Sequence, residues 1–251
     1  CVRVNMDDAP SYVLRHDEEP QALLYSKGLP VAARGWHATS SGVPYYFNDD
    51  GTVARGWHQR DTRWYYFGSN GAPLSGWQYV KGLWYYLSPE DYSMRTGWLE
   101  DKGERYYLQP DGAMYAGTGW ALIEGQWYYY ADGDGAVKTG WAKVGGKWYY
   151  LDDSGAMATG RRKVDGKWYW LDGSGAMQTG WVNMGDEADG NFENYRYFKE
   201  NGAVQTGWLT VTPPEDDDYN LDLGTDVEWY YFSNTGVPKV GPRVEDASTS
   251  D

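Results

Sequence analysis

The sequence predicts an all-β fold, an array of stacked β-hairpins, from three observations. The dipeptide Gly-Trp recurs with its Trp at 36, 57, 77, 98, 120, 141, 181 and 208, mostly at steps of 20 to 22 residues. An aromatic triplet runs in phase with it: "PYYF" from 44, "WYYF" from 64, "WYYL" from 84, "RYYL" from 105, "WYYY" from 127, "WYYL" from 148, "WYWL" from 168, "YRYF" from 195 and "WYYF" from 229. Aromatic residues make up 18% of the chain although only 5 are Phe, and there are 33 Gly, so the usual aliphatic core builders are scarce. About nine units of 20 residues result, and a unit of that length buries a core only by stacking on its neighbours.

Residues 1–34 precede the first unit and lack its signature. The stretch "YVLRHDEEPQALLY" mixes apolar and charged residues, and Pro20 interrupts any long helix. A strand or short helix capping the first hairpin is expected, because a repeat array otherwise ends in an open edge. The alternative is that the segment docks on another copy and makes a homo-oligomer or filament. The single cysteine is Cys1, which fits a lipidated N-terminus or a fragment boundary. No transmembrane run is present.

Residues 35–241 hold the repeats. In "GWAKVGGKWYYL" two glycines lie between short strand-favouring runs, and the next copy places Asp165-Gly166 there, a strong signal for a type I′ hairpin turn. Each unit is then strand, turn, strand and a Gly-rich linker such as "DDSGAMATG". The last two units are stretched by the acidic insertions "GDEADGNFEN" and "TPPEDDDYNLDLGTD". Residues 242–251 form an acidic tail.

With Gly145-Gly146 as the loop, Lys143 faces Trp148, Ala142 faces Tyr149 and Trp141 faces Tyr150. Opposed residues share a face and neighbours along a strand alternate. One face therefore carries Trp141, Lys143, Trp148 and Tyr150, and the other Ala142, Val144, Tyr149 and Leu151. The second is an ordinary packing surface; the first is a polarised aromatic plate. Tyr and Trp can serve there simply as packing, since both favour strands. Their repeated choice over Leu, Ile or Phe points also to a ligand, because electron-rich ring faces attract cations and stack on sugars.

At these residues the sequence resembles the choline-binding, or cell-wall-binding, repeats of Gram-positive surface proteins, which are related to glucan-binding and clostridial toxin repeats. "TGWAKVGGKWYYLDDSGAMATG" and "GKWYWLDGSGAMQTGW" carry the resemblance, which extends over residues 35 to about 241. It implies a solenoid of stacked β-hairpins that binds choline groups of teichoic acid between consecutive hairpins. Family sites combine the Trp after Gly and the triplet Trp of one hairpin with a triplet Tyr of the next. Taking the second Tyr from the face analysis, the expected constellations are Trp57 and Trp64 with Tyr86, Trp77 and Trp84 with Tyr107, and Trp120 and Trp127 with Tyr150. In a fourth, Trp141 and Trp148 are closed by Trp170. Met157 and Met177 lie where the family has an apolar wall.

Several copies depart from the pattern. Pro44 replaces the triplet Trp beside Trp36, Arg105 does so beside Trp98, Arg161 replaces the Trp ahead of Trp168, and Tyr195 follows Trp181 only after an insertion. A guanidinium in a cage repels a choline cation, so these clefts are expected to be closed or to take something else. Glycan binding, to a glucan or host oligosaccharide, remains the alternative use of the same plates.

The formal net charge of −14 disfavours nucleic acid as a partner and favours cationic groups. Clustered Asp216, Asp217, Asp218 and Asp222 could offer oxygen ligands to Ca²⁺, as could "ADGDG" at 131–135, but neither has the alternating spacing of a calcium loop; solvated loops are the expectation. No nucleophile triad, metal-ligand pair or phosphate loop appears, so the chain is expected not to be an enzyme; a catalytic domain would lie outside it. The resemblance implies a secreted, extracellular protein of the bacterial cell surface, of the kind that acts as an adhesin or targets a wall hydrolase.

Overall fold

The computed structural model describes residues 34–38, 42–184, 194–212 and 228–240 and, as backbone only, short strands before them. Cys1, the tail 242–251, the run at Asp216–Asp218 with Asp222, and most of both acidic insertions lie outside the described residues. The described chain is all-β. Its first strands, β1 (Val2–Arg3), β2 (Ser11–Leu14), β3 (Ala22–Ser26) and β4 (Leu29–Val31), form one antiparallel sheet in sequential order. Nine hairpins follow: β5 (Gly35–Ala38) with β6 (Pro44–Phe47), β7 (Gly56–Arg60) with β8 (Arg63–Phe67), and β9 (Gly76–Val80) with β10 (Leu83–Leu87). Next come β11 (Gly97–Asp101) with β12 (Glu104–Leu108), β13 (Gly119–Ile123) with β14 (Gln126–Tyr130), and β15 (Gly140–Val144) with β16 (Lys147–Leu151). The series ends with β17 (Gly160–Val164) and β18 (Lys167–Leu171), β19 (Gly180–Asn183) and β20 (Tyr195–Phe198), and β21 (Gly207–Val211) with β22 (Glu228–Phe232), to which β23 (Pro238–Val240) adds a third strand.

The register is the one the turn chemistry dictates. Trp141 pairs with Tyr150, Ala142 with Tyr149 and Lys143 with Trp148. Both residues of the loop between β17 and β18, Asp165 and Gly166, have positive φ, 48° and 78°, as a type I′ turn requires. The packing face is also as expected: Ala142 and Leu151 are buried, while Trp148 on the plate is 41% exposed. One residue per hairpin, the last of the triplet run, forms the spine of the core: Phe47, Phe67, Leu87, Leu108, Tyr130, Leu151, Leu171, Phe198 and Phe232 are all buried.

The chain divides into two compact units, Cys1–Gly117 with Asp132–Ala136, and Thr118–Ala131 with Val137–Asp251. Within each, the linkers stitch hairpins together. The Met177 amide donates to the Trp148 carbonyl of the preceding hairpin at 2.7 Å, and Met157 does the same to Trp127. In the first unit Met94 donates to Trp64 and Met114 to Trp84. Four of the described linkers thus return a methionine to the triplet Trp one hairpin back. Linker glycines make room for it: a Cβ on Gly175 (φ +83°) would sit 2.4 Å from Met157 Sδ. The linker turns are held by side chains, as where Asp172 Oδ1 accepts from the Ser174 and Ala176 amides and the Ser174 hydroxyl.

Candidate ligand-binding clefts

The two tryptophans of each expected constellation come together. Trp57 and Trp64 have ring centroids 6.3 Å apart at 83°, Trp77 and Trp84 6.4 Å at 88°, and Trp141 and Trp148 6.5 Å at 90°. Trp120 and Trp127 line one cavity. Strand pairing produces this corner, since the Trp after Gly and the triplet Trp lie on one face of the hairpin, diagonally across the strands.

The third ring is not the expected one. Tyr85, not Tyr86, meets Trp57 at 4.8 Å; Tyr106, not Tyr107, meets Trp77 at 5.0 Å; Tyr149, not Tyr150, meets Trp120 at 4.9 Å; and Tyr169, not Trp170, meets Trp141 at 4.8 Å. Tyr86, Tyr107 and Tyr150 instead pack within their own hairpins at steep angles against Trp77, Trp98 and Trp141. Trp170 is paired across the strands with Arg161. The physical reason is that the plate of one hairpin meets the opposite face of the next, so its ring partner belongs to the alternate set of side chains.

Two of these corners enclose cavities of about 300 Å³. One is lined by Trp120, Trp127, Tyr149, Met157, Gly173 and Ser174, and the other by Trp141, Trp148, Tyr169, Met177, Glu200 and Asn201. The methionines form a wall where the family resemblance places one. Residues from a linker two hairpins on complete the rim, and sequence reasoning missed them. The second cavity gains the Glu200 carboxylate there. In the first unit burial pushes the Tyr85 phenol above its usual pKa and the Asp111 charge adds to this; burial does the same at Tyr106, followed by Glu104, Asp134 and Asp101. The Trp77 indole also donates to Asp101 at 3.1 Å. A neutral phenol and nearby carboxylates make these corners favourable to a cation. The signal for the rim lay in the period itself, because Asp111 and Asp134 occupy the same position of successive linkers and Glu200 the position beside it in a later one.

The departing copies are filled from within. The Arg161 guanidinium lies 4.0 Å over the Trp168 ring, and that of Arg105 4.2 Å over Trp98. Arg60 lies 4.1 Å over Tyr46, in the hairpin where Pro44 replaces the triplet Trp. Trp181 is packed against Tyr195, Tyr197, Tyr230 and Phe232, and its indole donates to the Thr212 carbonyl. Among the described residues no three His, Cys, Asp or Glu side chains are placed to hold a metal ion; in "ADGDG", Asp134 caps its own turn by accepting from the Ala136 amide.

The sequence profile of the choline-binding repeat matches residues 74–118, 117–161 and 138–183, and that of the putative cell wall binding repeat matches 56–72, together just over half of the chain. The chain belongs to the choline-binding repeat family. No curated protein matches it. Among solved structures it is similar to CbpJ from Streptococcus pneumoniae TIGR4, with 29% identity, a TM-score of 0.56 and coverage of 88% of this chain and 76% of that one. It is also similar to choline binding protein F from Streptococcus pneumoniae, with 26% identity, a TM-score of 0.51 and 94% of each chain covered. A structure of that protein in the presence of a peptidoglycan analogue, a tetrasaccharide-pentapeptide, gives 26% identity, a TM-score of 0.52 and 96% coverage of both chains. Choline-binding repeats are cell-wall-associated surface modules, non-catalytic by themselves.

Proposed function

We propose that this chain is a non-catalytic surface module that holds choline groups of cell-wall teichoic acid in four aromatic clefts between successive hairpins. The clefts are Trp57/Trp64/Tyr85, Trp77/Trp84/Tyr106, Trp120/Trp127/Tyr149 and Trp141/Trp148/Tyr169. The observation that carries this reading is the pair of ring-walled cavities closed by Met157 and Met177. A trimethylammonium group offers no hydrogen-bond donor, so it is held by ring quadrupoles and dispersion, which perpendicular indoles and a thioether supply. The Glu200 carboxylate adds charge attraction at one rim. The decisive experiment is thermal unfolding followed by near-ultraviolet circular dichroism at zero and tens-of-millimolar choline chloride, with sodium chloride as control. Ligand that binds only the folded state raises the midpoint; no rise beyond the salt control removes choline from consideration.

One observation favours a second reading, glycan binding. On the last hairpin Trp208 and Trp229 are 55% and 56% exposed and share a face with Tyr231, making an open plate of the kind that stacks on sugar rings. If choline leaves the midpoint unchanged while a peptidoglycan oligosaccharide quenches tryptophan fluorescence, this reading replaces the first.

A further inference from the structure

The hairpin β17–β18 interrupts the run of aromatic cages. Its Gly is followed by Arg161 instead of Trp, and "GRRKVDGKW" carries four cations against one carboxylate in a chain of net charge −14. Three observations give this hairpin a chemistry of its own. The Arg161 guanidinium and the Lys163 ammonium lie 4.0 and 5.8 Å from the Trp168 ring. A cavity of about 260 Å³ opens beside that ring, with Lys167, Lys199, Asn201, Thr206 and Asn234 in its lining. Among the described residues that line it there is no carboxylate. Val204, whose amide donates to the Trp168 carbonyl, stands where Met157 and Met177 wall the two cages. The position of the next cage has therefore become a polar, cationic pocket.

We infer that this pocket binds a phosphate group, and that it does so next to the Trp141 cage so that one phosphocholine engages both. Asn201 lines both cavities. Only two methylenes and an ester oxygen separate the trimethylammonium of phosphocholine from its phosphorus. A group seated with its ammonium against Trp141, Trp148 and Glu200 directs its phosphate out of an aromatic cleft that cannot pair with it. Lys167 and Lys199 supply charge-assisted donors, and the Asn201 and Asn234 amides and the Thr206 hydroxyl can complete the oxygen shell. Arg161, stacked on Trp168, keeps choline out of this position and reinforces the positive potential. The bridging part of the inference rests on the proposed choline reading of the Trp141 cage; the pocket's preference for phosphate does not.

The test is a titration of the ¹⁵N-labelled full chain, followed through its tryptophan indole resonances, with choline chloride, inorganic phosphate and phosphocholine at matched ionic strength. Phosphate should move Trp168 and leave Trp120 and Trp127 in place. Phosphocholine should move Trp168 together with Trp141 and Trp148, half-saturating at a concentration about three- to tenfold below that of choline. In the Lys167→Gln/Lys199→Gln variant the phosphate response should vanish and the two half-saturation concentrations should converge, while an unchanged choline response reports an intact fold. The inference is overturned if Trp168 ignores both phosphate and phosphocholine, or responds as strongly in the double variant. A Trp168 response to phosphate without tighter binding of phosphocholine overturns the bridge. If choline moves none of the four cages, the proposed function fails, and the phosphate arm still decides the pocket.

Discussion

The Trp141 cleft and the Arg161 position stand on consecutive hairpins with the same length, turn and register, yet they present opposite chemistries. At the first, two indoles at 90° and Tyr169 enclose an apolar cavity with a carboxylate on its rim. At the second, a guanidinium occupies the place of one indole and lies 4.0 Å over the other. The backbone is the same because Gly160, the loop and the triplet are kept, and these alone fix pairing. The chemistry differs because the side chain after the glycine supplies either a ring that attracts a cation or a cation that satisfies the remaining ring, and because Val204 and Asn234 line the second position where Met177 and Glu200 line the first. A repeat array can therefore vary its ligands one position at a time without renegotiating its fold.

The comparison breaks most severely with Trp141→Ala. Trp141 touches Trp148, Tyr150 and Tyr169, so its loss should lower choline affinity at that cleft tenfold or more and reduce stability by about 2–4 kcal/mol. Isothermal titration and urea unfolding read the two effects separately; unchanged choline binding would remove this cleft from the proposed set. Next comes Gly175→Ala, which forces a Cβ into a left-handed backbone position against Met157. It should cost about 2–3 kcal/mol and weaken choline binding at the Trp120 cleft, with little change at Arg161.

A smaller effect sharpens the contrast from the other side. Arg161→Trp should restore an aromatic corner with Trp168 and create a further choline site, adding about 1.4 kcal/mol of choline-dependent stabilisation at ten times its dissociation constant. A choline-induced shift in midpoint no larger than that of the parent chain would mean that more than the guanidinium separates the two clefts.

The smallest expected effect concerns the linkers common to both regions. The hydroxyl of Ser174 donates to Asp172 and holds its carboxyl below the usual range, helped by the Ala176 and Ser174 amides and by Lys147; Ser93 and Thr52 act likewise on Asp91 and Asp50. Because these folded-state pKa values are depressed, the contribution is present in full above the unfolded carboxylate range, near pH 4, and is lost as pH falls through the lower folded values. The urea midpoint should be flat through neutrality and decline below about pH 4, less steeply in Asp172→Asn. A decline of equal steepness in the variant would assign the acid sensitivity to other carboxylates.

Much of this molecule is written in its local pattern. Hairpin, turn and register follow from "GWAKVGGKWYYL", because a two-residue turn with positive φ at both positions leaves one pairing and hence one division of faces. The corner made by Trp141 and Trp148 follows from that division. Its third wall does not: the alternation of side chains names two candidates, Tyr169 and Trp170, and the choice depends on which face the next hairpin turns toward the plate. Nor does any local rule place Glu200 and Asn201 at the rim, since they come from a linker about fifty residues further on. The sequence by itself determined the hairpin, its two faces and the positions where an arginine replaces a ring. Only the tertiary structure decided which rings close each cleft, because stacking is governed by contacts such as Met177 to Trp148 and Gly175 to Met157 that join separate repeats, and these have no expression within a single repeat.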